Sequence, residues 1–427
     1  MKRLRGVFAG GVSQILIGSL IGQGLLLAVS PILTRLYSPR DFAALTVFTG
    51  AATVFGGLAT LSWDRAIVVP RGERQATAIL TLGAITVLTI SVLLVPLALF
   101  LGPVADRVFD TDVFVPLWWL LPVTVALMGA YTLVSSWMVR QRLYGRLAVR
   151  NALLGGSQSV SSVILGVVGA APFGLVSGIA FGRAVAIIGL APWRELRGTG
   201  AALPSRARLR AVASRYRRFP LVASWSRVAN ILGLQLPPVL IVAMYGSWEA
   251  GIFALTVRVL ATPIGIVVDA VSQYFEGAFA ARVRERSPRL VPLMTLILRR
   301  LALVGLVPTL LVVFFAPALF GWLFGAEWQA SGVFAQIVVW QYLLQFVVSP
   351  ISRTLLVLER QFSQLVWDVS RTIASIGAVV LPSLLGASLA QALIVLTITQ
   401  AVLYVILLAM SLRAARRAEN RADGVGE

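Results

Sequence analysis

Ten ionisable side chains lie in stretches too apolar to hydrate them: Arg65, Arg183, Arg227, Arg258, Arg353 and Arg371, and the carboxylates Asp64, Asp269, Glu276 and Asp368. A charge inside a bilayer is costly unless it is paired or hydrated, so each of these marks a candidate cavity or pathway. Arginine stays ionised and grips phosphate oxygens in two-pronged fashion. Six guanidiniums against four carboxylates therefore suit an anionic head group. Carboxylates in a low-dielectric cleft can hold protons and couple transport to them; the sequence leaves open whether these do. Covalent chemistry finds no support. The chain has no Cys and no His, hence no thiolate or imidazole to act as nucleophile, base or metal ligand. It has no Gly-x-x-x-x-Gly-Lys-Ser/Thr loop for a nucleotide, and Asp110-Thr-Asp112 is a lone pair of acids in a turn. No catalytic residue, metal or cofactor is expected.

Helical spacing puts many of these groups on shared faces. Arg258, Asp269 and Glu276 are 11 and 7 residues apart and fall on one side of a helix that carries Pro263. Arg227 follows Phe219 by 8 residues, about 12 Å along a helix, which is deep for a side chain reaching back to the surface. Asp368 and Arg371 are close enough to pair internally, on a stripe with Gln361, Gln364 and Ser375. Gln341, Gln345 and Ser349 lead to Arg353, and Asn151, Gln158 and Ser162 form a further polar face. Arg183 has no acid in its own segment. Asp64, beside Arg65, closes a stripe of Thr49, Thr53 and Thr60; it either pairs structurally or serves the cavity. The stripe Ser19, Gln23, Ser30 and Thr34 reads first as helix packing through small hydroxyls.

The elements that must position these groups are membrane helices. Of 427 residues, 58% are hydrophobic and 13% charged, against about 25% charged in soluble domains. Apolar runs of bilayer-spanning length recur at 8–33, 42–69, 77–102, 113–138, 151–169, 172–193, 219–244, 250–277, 301–320, 332–357, 362–384 and 388–412. The expected fold is an all-α polytopic membrane protein of about 12 helices, in two six-helix lobes with a central cavity. The division is 1–193, a basic cytoplasmic linker 194–218, 219–412, and a cytoplasmic tail 413–427. With both termini inside, 28 of the 37 Lys and Arg fall on inner segments and only Arg35, Arg40 and Arg107 on outer turns, the asymmetry expected for that orientation and an even number of helices. That distribution accounts for the net charge of +20 without nucleic acid. Outer loops are short, and the longest, Gly102 to Asp112, is acidic. In the linker, Leu209, Val212, Tyr216 and Phe219 recur at helical spacing among arginines, as an amphipathic helix on anionic lipid would require; a solvated linker reads equally well.

The halves echo one another. Pro31, Tyr37 and Ala44-Leu-Thr-Val47 are matched by Pro238, Tyr245 and Ala254-Leu-Thr-Val257. With six helices per half both copies run the same way, as in a parallel repeat about the membrane normal with a cleft between lobes.

Two stretches carry a family resemblance. Gly22-Gln-Gly-Leu-Leu-Leu-Ala-Val-Ser-Pro-Ile-Leu-Thr-Arg-Leu-Tyr-Ser-Pro-Arg-Asp-Phe42 is an apolar run, a proline and a Thr-Arg-Leu-Tyr-x-Pro-x-Asp-Phe turn. Leu58-Ala-Thr-Leu-Ser-Trp-Asp-Arg-Ala-Ile-Val-Val-Pro70 sets a charged pair before Ala-Ile and a proline. In these the chain resembles the Wzx-type polysaccharide (O-antigen) flippases of the multidrug/oligosaccharidyl-lipid/polysaccharide (MOP) superfamily, departing from many members at Ala43-Ala44. The resemblance implies alternating access and an undecaprenyl-pyrophosphate-linked oligosaccharide carried from the inner to the outer leaflet. Its partners would be membrane lipid and the polymerase and chain-length proteins of the same pathway. The expected cationic lining is Arg227, Arg258, Arg353, Arg371 and Arg183, with Asp64, Arg65, Asp269, Asp368 and Arg35 gating or coupling. Three other readings stay open. A cation-coupled drug exporter would want a surplus of cavity carboxylates. A peptidoglycan-precursor flippase shares the fold but fits the Tyr37–Phe42 turn less well. A membrane polymerase or glycosyltransferase would want a large outer loop.

Overall fold

A computed structural model describes residue 14 and residues 17–109, 112–190, 204–284, 290–358 and 360–423. Lys2, Arg3, Arg5, Asp110, Arg194, Arg197, Arg286 and Arg289 lie outside the described residues, as do the side chains of Asn230, Arg284, Gln361 and Arg421. Every element among the described residues is helical, and the described part of each expected span is mainly helical, several of them in more than one piece. Among the described residues, nine helices are long and apolar enough to cross a membrane; Phe173–Gly189 and Ile231–Tyr245 are shorter apolar helices. By its internal contacts the chain forms two compact units, Met1–Gly251 and Ile252–Glu427.

The first unit opens with α1 (Ile17–Leu36), interrupted at Val29 just before Ser30 and Pro31. Its hydroxyls turn back on their own helix: Ser30 Oγ donates to Leu26 O and Thr34 Oγ1 to Pro31 O. α1 lies on α7 (Tyr144–Val167), so closely that a Cβ on Gly155 would enter the Gly22 backbone and a Cβ on Gly22 the Asn151 backbone. Small residues permit such an approach where lipid offers no hydrophobic drive.

A two-residue corner follows. Tyr37 is 3% exposed and donates its hydroxyl to Ser162 O at 2.7 Å. Burial pushes its phenol up to about 12, and the Asp41 charge adds to this. α2 (Pro39–Ala59) begins with a proline in its first turn and a capping box. Ser38 N and Ser38 Oγ both donate to Asp41 Oδ2, at 2.7 and 2.8 Å. The corner at Tyr245, which echoes this one in sequence, is as short: α10 (Ser224–Tyr245) ends at Tyr245, Gly246 adopts φ 88°, and α11 (Ser247–Arg284) begins.

The span expected over 42–69 is not continuous. α2 stops at Ala59, and Leu61 and Ser62 turn left-handed (φ 43° and 56°) before the one-turn α3 (Trp63–Ala66). The loop expected at Gly102–Asp112 is also corrected. α4 runs from Glu73 to Phe109 through Pro96 and Pro103, and Asp106 accepts from Phe114 N and Val115 N at 2.7 and 3.0 Å. Those bonds seat the start of α5 (Phe114–Trp118), which leads into α6 (Leu120–Arg140). α8 spans Phe173–Leu190. The described part of the linker forms α9 (Arg206–Arg215), capped by Ser205. Its Val212 and the following Tyr216 are buried, and α9 packs on α4. α10 lies along α2, with Val239 over Gly50 and Ile231 over Gly57.

In the second unit α11 is followed by α12 (Leu290–Phe324), α13 (Gln329–Val348), α14 (Arg353–Val357), α15 (Gln361–Leu384) and α16 (Leu389–Asp423). Glu419 of α16 accepts from Leu290 N and from Val291 N (2.9 Å) at the start of α12. Thr256 and Ser331 exchange bonds with backbone: Thr256 Oγ1 donates to Ser331 O (2.8 Å) and Ser331 Oγ to Ile252 O (2.7 Å). Phe275, Phe279, Met294 and Leu301 anchor a core shared by α11 and α12.

Candidate functional site

The strongest polar cluster is built where α2 breaks. Leaving the helix after Ala59 and turning left-handed brings Asp64 back under Thr60, whose Oγ1 donates to Asp64 Oδ1 at 2.7 Å. Across from it, α10 starts from a π-helical turn, Phe219–Ala223, with Pro220 in its first turn. Ser224 bonds Ser62 Oγ at 3.2 Å, and one turn on Arg227 closes on the acid. Its Nη2 donates to Asp64 Oδ2 at 2.7 Å, and its Nη1 donates to Asp64 Oδ1 at 3.1 Å and Thr60 Oγ1 at 3.2 Å. The two side chains are 15% and 7% exposed. This is a two-pronged arginine–carboxylate pair, the strongest geometry open to these groups. Arg65, expected as the neighbour of Asp64, instead faces outward and is exposed.

A second cluster joins α6, α7 and α8 and was not legible as such. Arg150, counted in the sequence among inner-segment arginines, is 1% exposed. α7 begins at Tyr144, six residues before Arg150, so this arginine is carried a turn and a half into the packed interior. Its Nη2 donates to Ser135 Oγ at 2.6 Å, its guanidinium lies 4.0 Å over the Tyr131 ring, and its Nε has no partner. Tyr131 donates to Asn151 Oδ1 (2.8 Å), and Asn151 Nδ2 donates to Ser19 Oγ (3.1 Å). Arg183 of α8, half-buried, donates to Ile179 O of its own helix at 2.9 Å. These arginines are thus held by hydroxyls, carbonyls and an aromatic face, which engage part of their N–H groups without cancelling their charge. The signal available in the sequence was Tyr131 and Arg150 flanking a polar α7 face; the helix start was set too late to show it.

In the second unit Arg258 is half-buried on α11, while Asp269 on the same helix is exposed. Arg353 opens α14, and its Nε lies 3.8 Å from Glu276 Oε2, both side chains being more than 40% exposed. On α15, Asp368 accepts from Gln364 Nε2 at 3.3 Å and Arg371 lies 5.0 Å over the Trp367 ring. The internal Asp368–Arg371 ion pair is not formed, since each has turned to a different neighbour. Trp367 is fixed by its Nε1 bond to Leu403 O at 2.9 Å. Arg35, in the last turn of α1, is exposed. Among the described residues no cluster of acids could hold a metal ion.

Residues 32–333 match the family described as polysaccharide biosynthesis protein. The succinoglycan biosynthesis transport protein ExoT of Rhizobium meliloti is 25% identical over 399 residues, covering 89% of this chain and 75% of that protein. Among solved structures, an inward-facing multidrug resistance MATE transporter of the MOP superfamily aligns with a TM-score of 0.71 at 16% identity, over 96% of this chain and 99% of that one. The lipid II flippase MurJ in an inward closed conformation gives 0.71 at 11%, over 96% and 90%. A MOP superfamily transporter from Pyrococcus furiosus, described as having a binding pocket of reversed polarity, gives 0.59 at 13%, over 96% of each chain. At these identities the likeness establishes the shared fold.

Proposed function

The chain belongs to the polysaccharide biosynthesis protein family, and from that premise we propose that it is a flippase. It moves undecaprenyl-pyrophosphate-linked oligosaccharide from the inner to the outer leaflet of a bacterial plasma membrane. The observation that carries this reading is the state of the interior arginines. Arg150 and Arg183 are bonded to neutral groups, and Arg371 lies on an indole face. Guanidiniums whose charge no carboxylate cancels favour pyrophosphate and acidic sugars, while the lipid tail stays in the bilayer. No bond needs to be made or broken, so the chain is a transporter without catalytic residues. The succinoglycan transport relative supports a polysaccharide precursor as cargo.

In this scheme the lobes are 1–193 and 219–412, joined by the basic segment 194–218, and both termini are cytoplasmic. That orientation is supported by the 28-to-3 distribution of cations. Arg227, Arg258 and Arg353, with Arg183 and Arg371, meet the anionic head group. Asp64, Asp269 and Asp368, with Arg65 and Arg35, gate or couple the cycle. Asp64 occupies the two prongs of Arg227 that a phosphate would take, so an arriving pyrophosphate competes for Arg227 and frees the carboxylate.

The test is complementation of a deletion strain, with lipid-linked repeat units followed by leaflet. The wild type restores outer-leaflet units. If Arg227→Ala, Arg258→Ala and Arg353→Ala all export normally at normal expression, the cationic cavity is refuted. Addition of sugars to a lipid acceptor by the purified protein would refute transport as its role.

A further inference from the structure

We propose that a pocket in the first unit, between the α3–α4 turn and the α6–α7 turn, binds a phosphate monoester or diphosphate. It is separate from the interior arginines. The cavity is about 450 Å³ and is lined by Arg71, Arg140, Arg142, Glu73, Gln141 and Tyr144. Arg140, half-buried at the end of α6, ties the pocket wall together. Its Nη1 donates to Ile67 O and Pro70 O at 3.1 and 2.6 Å and its Nη2 to Arg71 O at 3.4 Å. All three acceptors are neutral, so this guanidinium is fixed in place with its charge intact.

Arg142 follows with φ 55°, a left-handed conformation that a non-glycine residue adopts at a cost. The turn is fixed by Arg142 N donating to Val139 O and Leu143 N to Met138 O, and Arg142 lines the same cavity. The one carboxylate in the lining, Glu73, accepts from Gln141 Nε2 at 3.1 Å. α4 begins at this same Glu73, so the positive end of a long helix adds to the field. Three arginines thus converge on one concavity against a single engaged acid. A basic rim that served only to orient the protein would require neither the clamp on three carbonyls nor the strained turn.

The ligand is a phosphate or diphosphate group, free or as a lipid head group at the inner interface. The second source rests on the orientation given under Proposed function. The test is native mass spectrometry of the full chain with inorganic pyrophosphate, and of the chain in nanodiscs containing phosphatidic acid or phosphatidylcholine. The variants are Arg142→Gly, which removes the charge and suits the backbone, Arg71→Gln combined with Arg142→Gly, Arg142→Lys as charge-retaining rescue, and exposed Arg416→Gln as a control matched in charge to the single Arg142→Gly. Thermal unfolding reports folding throughout.

The double variant is expected to bind pyrophosphate at least tenfold more weakly, Arg142→Lys to regain most of the loss, and Arg416→Gln to bind normally. Phosphatidic acid retained by the wild type and lost by the double variant assigns a lipid head group; pyrophosphate binding without lipid retention assigns a free phosphate. Equal weakening in Arg416→Gln and the double variant, or no weakening in either, overturns the site. Export by the unaltered chain is scored in parallel, so that a failed transport reading is seen separately from a failed pocket.

Discussion

Arg227 Nη2 stands 2.7 Å from Asp64 Oδ2, and its Nη1 stands 3.1 Å from Oδ1, joining the break in α2 to the first turn of α10. Both side chains are largely buried, so removing one partner strands the other. Arg227→Ala or Asp64→Ala alone is expected to cost on the order of 3–5 kcal/mol, as for other buried pairs. The double substitution should recover most of that. Stability, read as thermal unfolding of detergent-solubilised protein, and export should then separate. The double variant is expected to be nearly as stable as wild type yet at least tenfold slower in export. A double variant that exports normally would make the pair purely structural.

Tyr37 offers a test of the outer corner. Its hydroxyl bond to Ser162 O should be worth about 1 kcal/mol, which Tyr37→Phe forfeits. A Cβ at Gly174 would run into that hydroxyl and into Leu165, so Gly174→Ala should cost more than Tyr37→Phe. The pH dependence has a definite sign. The folded phenol keeps its proton to about 12, whereas a free tyrosine loses it near 10. Between those values the unfolded chain releases the proton first, so wild-type stability falls as pH rises through this window. Tyr37→Phe lacks this contribution, and an alkaline unfolding series comparing the two should show the shallower fall in the variant.

The helices were legible because apolar runs of bilayer length leave few alternatives, and the Tyr37 and Tyr245 corners because proline and polar residues punctuate those runs. What could not be read was which side chain meets which. Asp64 has Arg65 beside it in sequence, yet its partner is 163 positions away, because the left-handed turn at Leu61 and Ser62 swings the acid toward α10. No hydropathy pattern encodes a turn of that kind in two ordinary residues. Arg150 was misread for the opposite reason. A positive-inside count treats arginines at the edge of an apolar run as interfacial, and α7 begins early enough to bury this one. Asp368 and Arg371 have the spacing of a pair, but Gln364 bonds the acid and the Trp367 ring takes the guanidinium, each one turn away.

Arg150 should behave as a functional charge. Its neighbours are Tyr131, Ser135 and Met138, and burying a cation among them without a carboxylate is expensive. Arg150→Met fills a similar volume without charge. Thermal unfolding should therefore show this variant as stable as wild type or more so, while outer-leaflet delivery falls severalfold. Arg150→Lys keeps a charge but loses the planar fork that reaches Ser135 while stacking on Tyr131, and should be intermediate in export. Equal export by wild type and Arg150→Met would make the residue a packing element.

The pair between Arg353 and Glu276 separates attraction from service to a ligand. At 3.8 Å, with the two side chains 42% and 46% exposed, it is solvated and geometrically poor. Such pairs contribute about 0–1 kcal/mol. Glu276→Gln should therefore leave the unfolding temperature almost unchanged and, by removing a competitor for the guanidinium, leave export intact or slightly faster. Arg353→Ala should be equally mild in unfolding, because the interaction it removes is the same. If Arg353 serves the anionic cargo, Arg353→Ala alone will slow export, and Arg353→Lys will restore it only in part. Matching export defects in Glu276→Gln and Arg353→Ala would instead assign the role to the ion pair.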